Sequence, residues 1–125
     1  MSFDPNPFIY LLTVKIITDA PLDNHGKGEA FSPTDLICTA LCTCMITSMG
    51  IVSQRENLEL KGLSAHTTKY MTTSPRKINE IHIEFTWEEP IGTDQQRQKL
   101  KSAALSCPVA LSISSAIHQK VRFNF

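Results

Sequence analysis

The stretch "SPTDLICTALCTCMITSMG", residues 32–50, decides the fold, because it combines the clearest helix start in the chain with a long apolar run. Ser32 is a suitable N-cap, and Pro33 suits the first helical position. Asp35 lies where the acid of a capping box reaches back to the helix start. Gly50 is the expected terminator. The sequence therefore predicts a helix of about four to five turns.

This helix lies in a segment, residues 36–54, that carries no charge over 19 positions. That length approaches what is needed to cross a membrane. Seven of the residues are Ser, Thr, Gly or Gln, however, and no second apolar span accompanies them. A helix that is apolar on nearly all sides but lacks bulk toward lipid is typical of a buried core helix. We therefore expect a buried central helix and no membrane span.

Length and charge restrict the class of protein. The 125 residues fit a single domain, residues 1–125, that is large enough to bury a core. Twelve basic residues balance twelve acidic ones, so neither nucleic acid nor anionic lipid is an expected partner.

The start "MSFDPNPFIYLLTV" lacks the positive leader of a signal peptide. Four cysteines are too few for a disulfide scaffold. We expect a cytoplasmic protein with reduced thiols.

Strands are predicted on both sides of the helix. Residues 8–17, "FIYLLTVKII", are rich in β-branched and aromatic side chains, which favour strands. Residues 18–31 contain Asp, Asn, Gly and Pro and are predicted to form a loop. Residues 81–87, "IHIEFTW", alternate between apolar and polar side chains, as in a strand with one face in water. Its core side would consist of Ile81, Ile83, Phe85 and Trp87.

The remaining segments complete a mixed pattern. Residues 58–71 indicate a weaker strand, followed by a hairpin connection at 72–77. A second helix is predicted over residues 94–106, and Pro108 can begin another short one. The closing residues 120–125, "KVRFNF", alternate again and predict an edge or returning strand. The fold class is therefore α+β, in which an antiparallel sheet supports one very apolar helix.

The cysteines do not have the spacing of a metal site. Cys38 and Cys42 share a helix face, but Cys44 lies about 200° around the helix from Cys42. Three thiolates in that arrangement cannot converge on one zinc ion. The four histidines show no ligand spacing either. We expect no bound metal.

Packing is the simplest interpretation of the three helical cysteines, since free cysteine behaves as a small buried hydrophobe. Cys107 is less clear. It precedes Pro108, and the residue before a proline is disfavoured in the helical region. If Pro108 opens a helix, Cys107 is its N-cap, where backbone N–H groups and the helix dipole favour a thiolate. From the residues alone, a reactive thiol and plain packing both remain open for Cys107.

Two motifs resemble the signature of the OsmC-like family, which includes the organic hydroperoxide resistance proteins. In that family a reactive cysteine follows the proline of a helix start by eleven residues, which is the spacing of Pro33 and Cys44 in "SPTDLICTALCTCM". The second family cysteine lies in a Cys-Pro step, as in "CPVALSI" at residues 107–113. The glycine-bearing loop "DAPLDNHGKGEAFSPTDL" is also similar. The resemblance covers about residues 16–125.

The resemblance implies an intertwined homodimer, in which two long central helices pack against sheets from both chains. It implies that Cys44 attacks an organic hydroperoxide and becomes a sulfenic acid, and that Cys107 resolves it as a Cys44–Cys107 disulfide. An external dithiol would reduce this disulfide, without a cofactor, in defence against oxidative stress. Met45, Met49 and Phe31 are possible apolar walls for the substrate, although such residues more often belong to a core.

The chain departs from the family pattern beside the thiols. Peroxidases of the family carry a glutamate directly after the proline, where it orients an arginine, and here that position is Thr34. No arginine precedes Arg55, which lies about three helical turns from Cys44. Lys27 or a residue of a partner subunit would have to supply the positive charge. A second function therefore stays open: a redox-sensing or small apolar-ligand-binding protein without efficient turnover.

Overall fold

The computed structural model describes residues 16–125 in full and residues 2–3 and 10–11 by their backbone. Strands β1 (Ser2–Phe3) and β2 (Tyr10–Leu11) pair antiparallel. A strand was predicted over residues 8–17. Of these, residues 8–9 and 12–15 lie outside the described residues, and residues 16–17 are not in a strand. The chain divides into two compact units, residues 1–33 and 34–125.

The predicted loop at residues 18–31 is confirmed, with one 3-10 turn at Leu22–Asn24. The Asp19 N–H donates to the Phe31 carbonyl at 3.2 Å, and the Asp19 carboxylate accepts from the Glu29 N–H at 3.1 Å. A Cβ at Gly26 would lie 1.7 Å from the Ala20 carbonyl oxygen, so only glycine fits there. The loop is thus closed largely by its own backbone.

The first helix of the second unit, α1 (Pro33–Arg55), begins at the predicted proline and runs for 23 residues. The prediction that it ends at Gly50 was wrong. Glycine inside a helix costs only about 1 kcal/mol, and the Ser53 hydroxyl donates to the Gly50 carbonyl at 2.7 Å as the helix continues. A single glycine is therefore a weak stop signal when the residues beyond it still pack.

The actual end of α1 is a Schellman motif, in which a left-handed residue closes the last turn. Asn57 adopts φ 50° and donates its N–H to the Gln54 carbonyl at 3.3 Å. The Leu58 N–H donates to the Ser53 carbonyl at 2.8 Å. Asn57, rather than Gly50, carries the stop signal, because asparagine tolerates the left-handed conformation.

α1 is buried along one side in this chain, whereas the sequence predicted burial on nearly all sides. The buried stripe consists of Cys38, Leu41, Cys42, Met45, Met49 and Ser53. Their spacing of mostly three and four residues places them on one helical face. On other faces Ile37 and Ile51 are 40% and 49% exposed.

By length and composition alone, α1 would pass as a membrane span. The core helix of a globular protein passes the same test. In this chain, the buried stripe of α1 belongs to one hydrophobic cluster together with residues of the sheet and of the second helix. Packing in the protein interior thus accounts for the apolar residues of the buried stripe.

Three strands form the sheet of the second unit: β3 (Leu63–Thr72), β4 (Lys77–Trp87) and β5 (His118–Asn124), in the order β3-β4-β5. β3 and β4 pair antiparallel through the predicted hairpin. β5 pairs parallel to β4, so the sheet is mixed and the prediction of an antiparallel sheet was wrong. The chain leaves β4, crosses over through helices and returns in the same direction, which makes the last pair parallel.

The crossover contains helices α2 (Asp94–Leu105) and α3 (Pro108–Ser112), close to the predicted positions. α2 begins with a capping box. The Gln96 N–H donates to the Thr93 hydroxyl at 3.2 Å, and the Gln96 side-chain oxygen accepts from the Thr93 N–H at 2.9 Å. This reciprocal pair satisfies two backbone donors at the helix start.

The core of the second unit lies between the stripe of α1, the inner face of the sheet and α2. The alternation predicted for β4 is confirmed, since its inner residues are at most 5% exposed: Ile81, Ile83, Phe85 and Trp87. Leu100 and Ala104 of α2 are fully buried in the same cluster. The fold class α+β is therefore confirmed for the described residues.

Two leucines of α2 provide a matched test of this core. Leu100 is fully buried, whereas Leu105 is 44% exposed. We expect Leu100→Ala to lower the free energy of unfolding by about 2–5 kcal/mol because it leaves a cavity. Leu105→Ala should cost less than about 1 kcal/mol. Urea unfolding followed by circular dichroism checks both, and equal losses would contradict this assignment of the core.

Candidate functional site

Cys44 lies at the flank of the buried stripe of α1. It is about 100° around the helix from Met45, whose side chain is fully buried at the centre of the stripe. Cys44 is half-buried and packs against the core. One side of the thiol thus contacts the interior while the residue keeps some exposure, unlike Cys38 and Cys42, which are 6% and 8% exposed.

Cys107 is the N-cap of α3, as its position before Pro108 suggested. Its Sγ accepts a hydrogen bond from the Ala110 N–H at 3.4 Å. Its backbone is extended at φ −64° and ψ 154°, as expected before a proline. The side chain is only 1% exposed. Cap geometry and burial therefore act on the same thiol in opposite directions.

Burial has the larger effect on the protonation of Cys107. Loss of hydration raises the pKa of the Cys107 thiol, while the hydrogen bond from the Ala110 N–H lowers it by a smaller amount. The Cys44 thiol raises the pKa of Cys107 further, through a hydrogen bond between the two side chains and through its charge. Cys44 is thus among the neighbours that influence the protonation of Cys107. All four cysteines are free thiols.

Cys38 has different neighbours. Burial raises its pKa, the Lys69 ammonium lowers it, and the Asp35 carboxylate raises it. Lys69 donates to the Thr34 hydroxyl at 2.8 Å and to the Asp35 carboxylate at 2.5 Å. This interaction ties β3 to the first turn of α1. Asp35 is therefore the partner of a lysine, and its expected role as a helix cap stays a prediction.

Sequence reasoning missed Lys69 as the cation beside the first turn of α1. Lys27 was instead expected as a possible source of positive charge beside the thiols, and it lies in the first unit. A signal was present in the alternation of β3, since Lys69 pairs in register with buried Ile81. Lys69 is therefore a charged residue at an inward-facing position, and its side chain is 18% exposed. Buried charges are paired in folded proteins, so such a position predicts a carboxylate nearby.

The residues considered as apolar walls divide between core and surface. Met45 and Met49 are fully buried in the hydrophobic cluster, whereas Phe31 is 59% exposed. Arg55 is the last residue of α1, eleven positions from Cys44. In the part of the chain that is described, no group of three or more His, Cys, Asp or Glu side chains is arranged to hold a metal ion.

The profile of the OsmC-like protein family matches residues 26–122 of this chain. The chain therefore belongs to the OsmC-like family. No curated protein sequence matches it significantly.

Solved structures agree with this assignment. A candidate osmotic stress induced and detoxification response protein from Psychrobacter arcticus is 45% identical, with a TM-score of 0.80 over 86% of this chain and 77% of that one. An organic hydroperoxide resistance protein OsmC from Legionella pneumophila is 18% identical, with a TM-score of 0.62 over 86% and 79% of the two chains.

A third structure extends the comparison. The organic hydroperoxide resistance protein OhrB of Bacillus subtilis is 15% identical, with a TM-score of 0.57 over 76% and 71% of the two chains. At the identities of the Legionella and Bacillus proteins, the likeness establishes the shared fold alone.

The raised pKa of Cys107 predicts slow alkylation at neutral pH. We expect iodoacetamide to modify Cys107 with a midpoint above the ordinary thiol value of about 8.5. Cys44→Ala should lower this midpoint, because it removes the hydrogen bond and charge that raise the pKa. Cys42→Ala is the control and should leave it unchanged. Mass spectrometry of the Cys107 peptide across pH measures the rate, and a wild-type midpoint at or below 8.5 would contradict the assignment.

The same shift predicts a pH dependence of stability. The folded state holds the Cys107 proton more tightly than the unfolded state does. The stabilisation is therefore complete below the unfolded pKa of about 8.5 and is lost as pH rises through the higher folded pKa. Urea titrations on either side of that interval should show a steeper decline for the wild type than for Cys107→Ala.

Lys69 is expected to stabilise the packing of β3 on α1. Lys69→Met removes hydrogen bonds to Thr34 and Asp35 and should lower the free energy of unfolding by about 1 kcal/mol. It should also raise the pKa of Cys38, since the ammonium lowers it. Lys77→Met, at an exposed position of β4, is the matched control. Chemical denaturation of both variants tests the difference, and an equal effect would show that the interaction is not stabilising.

Proposed function

We propose that this protein is a thiol-dependent peroxidase that reduces organic hydroperoxides, with Cys44 as the peroxidatic residue and Cys107 as the resolving residue. The observation that carries the proposal is the placement of the two motif cysteines: Cys44 is half-buried at the flank of α1, and the fully buried Cys107, whose pKa Cys44 raises, is the N-cap of α3. Membership of the OsmC-like family supports it, as does the fold shared with two organic hydroperoxide resistance proteins.

The proposed cycle has three steps. The Cys44 thiolate attacks the terminal peroxide oxygen, the O–O bond breaks, and the alkoxide leaves as the alcohol after taking a proton, so that Cys44 becomes a sulfenic acid. The Cys107 sulfur then attacks the Cys44 sulfur, and water leaves as the disulfide forms. An external dithiol reduces the disulfide by two exchange steps and is itself oxidised to a disulfide. No bound cofactor enters the cycle.

We propose further that the working form is a homodimer in a reducing compartment such as the cytoplasm. The apolar side chains of Ile37 and Ile51 on the outward sides of α1 support an interface there, since exposed apolar patches mark interaction sites. A dimer would also be the setting in which the helix becomes buried on several sides. The oligomeric state in solution, measured by light scattering, tests this part separately.

A second candidate function is redox sensing or binding of a small apolar ligand without efficient turnover. The burial of Cys107 favours it, because a buried thiol with a raised pKa exchanges slowly with an external dithiol. The first turn of α1 favours it too. Thr34 stands where peroxidases of the family carry the glutamate that orients an arginine, and here Thr34 and Asp35 accept hydrogen bonds from Lys69 instead.

Peroxide turnover separates the two functions. Reduced protein with tert-butyl hydroperoxide and excess dithiothreitol should consume peroxide catalytically. Cys44→Ser should lower the rate by at least about 100-fold, because the attacking thiolate is gone. Cys107→Ser should complete roughly one turnover and then accumulate oxidised Cys44. Cys42→Ser, a substitution on the same helix, is the control and should keep activity.

The outcome that contradicts the enzyme is equally plain. Slow peroxide loss at the same rate in the wild type and in Cys44→Ser would leave sensing or ligand binding as the function. Mass spectrometry of the oxidised protein should find a Cys44–Cys107 disulfide, and a Cys42–Cys44 link would contradict the proposed pairing.

A further inference from the structure

The outer edge of β5 has backbone hydrogen-bonding groups that pair with no other described strand. Within the described part of the chain, β5 pairs with β4 on one side and with no strand on the other. It is seven residues long. An edge strand of this length presents unpaired backbone donors and acceptors, and natural proteins cover such edges or use them to bind another strand.

A groove of about 740 Å³ runs beside this edge, between β5 and α2. Val121, Phe123 and Phe125 supply its apolar part, and the Phe123 and Phe125 rings stack with centroids 5.7 Å apart. Two cations of α2 lie over these rings: Arg97 is 5.8 Å from the Phe125 centroid, and Lys101 is 5.9 Å from the Phe123 centroid. The groove therefore combines aromatic surface with positive charge.

The charges of the groove are only partly neutralised. Arg97 lies 3.7 Å from the Asp94 carboxylate, the one acidic residue that lines the groove. Lys101 is exposed and pairs with no carboxylate among the residues described. Arg122 also lines the groove and is 75% exposed. The chain as a whole has a net charge of zero, so this groove is a local excess of positive charge.

The water-facing side of β5 also carries positive charge. Lys120 and Arg122 lie two positions apart along it and are exposed. On the paired side, β4 already meets these residues with acids: Lys120 lies 3.4 Å from Glu80, and Arg122 lies 3.5 Å from Glu84. A strand at the free edge would meet the same basic row from the other side, and acidic residues suit that position because opposite charges stabilise cross-strand pairs.

The same charges argue against a second copy of β5 as the occupant. Antiparallel pairing of two β5 strands centred on Val121 would set Lys120 of each copy opposite Arg122 of the other. Like charges directly opposite one another destabilise a strand pair. The edge is therefore protected against pairing with itself and complementary to an acidic strand.

We propose that the free edge of β5 binds an extended segment of a partner protein in which acidic and apolar residues alternate. The segment adds as a fourth strand. Its acidic side chains face Lys120 and Arg122, and its apolar side chains enter the groove over Phe123 and Phe125. Lys101 and Arg97 supply further positive charge above that groove. This docking is independent of the peroxidase proposal, because it uses none of the cysteines.

A short synthetic peptide tests the proposal on the full chain. The probe is fluorescein-labelled Glu-Val-Glu-Phe-Glu-Val-Glu, amidated at its C-terminus and titrated by fluorescence anisotropy. Saturable binding is expected, with NMR shift changes concentrated in the amides of β5. A scrambled peptide of the same composition should bind at least about tenfold more weakly, and N-methylation of alternate peptide residues should abolish binding, because strand addition needs the backbone donors.

Charge reversal provides the matched control. Lys120→Glu combined with Arg122→Glu should weaken binding by at least about tenfold, since attractive cross-strand pairs become repulsive. The doubly substituted protein should instead bind the peptide with lysine in place of glutamate. Reversal of Lys61 and Lys77, which are exposed elsewhere, should leave binding of the acidic peptide unchanged.

Several outcomes would overturn the proposal. Equal binding of the N-methylated or scrambled peptide would show that only net charge matters. Binding of dodecyl sulfate in the groove without binding of the peptide would identify a small amphiphile as the occupant. Self-association through β5, seen as the same amide shifts rising with protein concentration alone, would make a second copy the occupant. The charge-reversed variant should keep its rate of peroxide turnover whether or not it binds the peptide. The test of docking is therefore independent of the test of the proposed enzyme.

Discussion

The contact between one stripe of α1 and the inner face of the sheet determines the rest of the structure. Because the stripe is buried, the rotation of the helix about its axis is fixed. Cys42 then points into the core, and Cys44, two positions later, lies at the flank of the stripe. Partial exposure of Cys44 is therefore a consequence of helical geometry, and it needs no special loop or strained backbone.

The environment of Cys107 shows how two physical effects compete at one thiol. The N-cap hydrogen bond from Ala110 favours a thiolate, but it is a 3.4 Å contact to sulfur at the start of a five-residue helix. Loss of hydration at 1% exposure is the larger effect. The result is a thiol that stays protonated at neutral pH and is shielded from external electrophiles.

The burial of Cys107 suits the order of events in the proposed cycle. The Cys107 thiol is 1% exposed, and burial raises its pKa. In that cycle the half-buried Cys44 meets the peroxide first, and Cys107 is protected from external oxidants until Cys44 has reacted.

Local patterns predicted those features that depend on neighbouring residues. The alternation of residues 81–87 gave the correct inner face of β4, and Pro33 and Pro108 marked two helix starts, since both signals arise within a few residues. The parallel pairing of β5 and the partner of Lys69 depend on contacts between distant segments. The end of α1 has a local signal at Asn57, which is weaker in sequence than that of a glycine. Spacing within the helix showed that Cys38, Cys42 and Cys44 cannot share a metal. It could not bring Cys44 to Cys107, 63 positions away, and only the resemblance to a family suggested that pair.

The parallel return of the chain also determines which residues of β4 the basic side chains of β5 meet. A crossover through two helices delivers β5 beside β4 in the same direction, and its basic residues then face Glu80 and Glu84. Glu80 and Glu84 pair with Lys120 and Arg122, and Asp94 lies near Arg97, so Lys101 of α2 remains without a carboxylate partner among the described residues. This charge lies beside the outer edge of β5, where the backbone pairs with no other described strand. In the proposed docking, like charges disfavour pairing between two copies of β5 while the backbone stays available, so the edge would select an acidic strand.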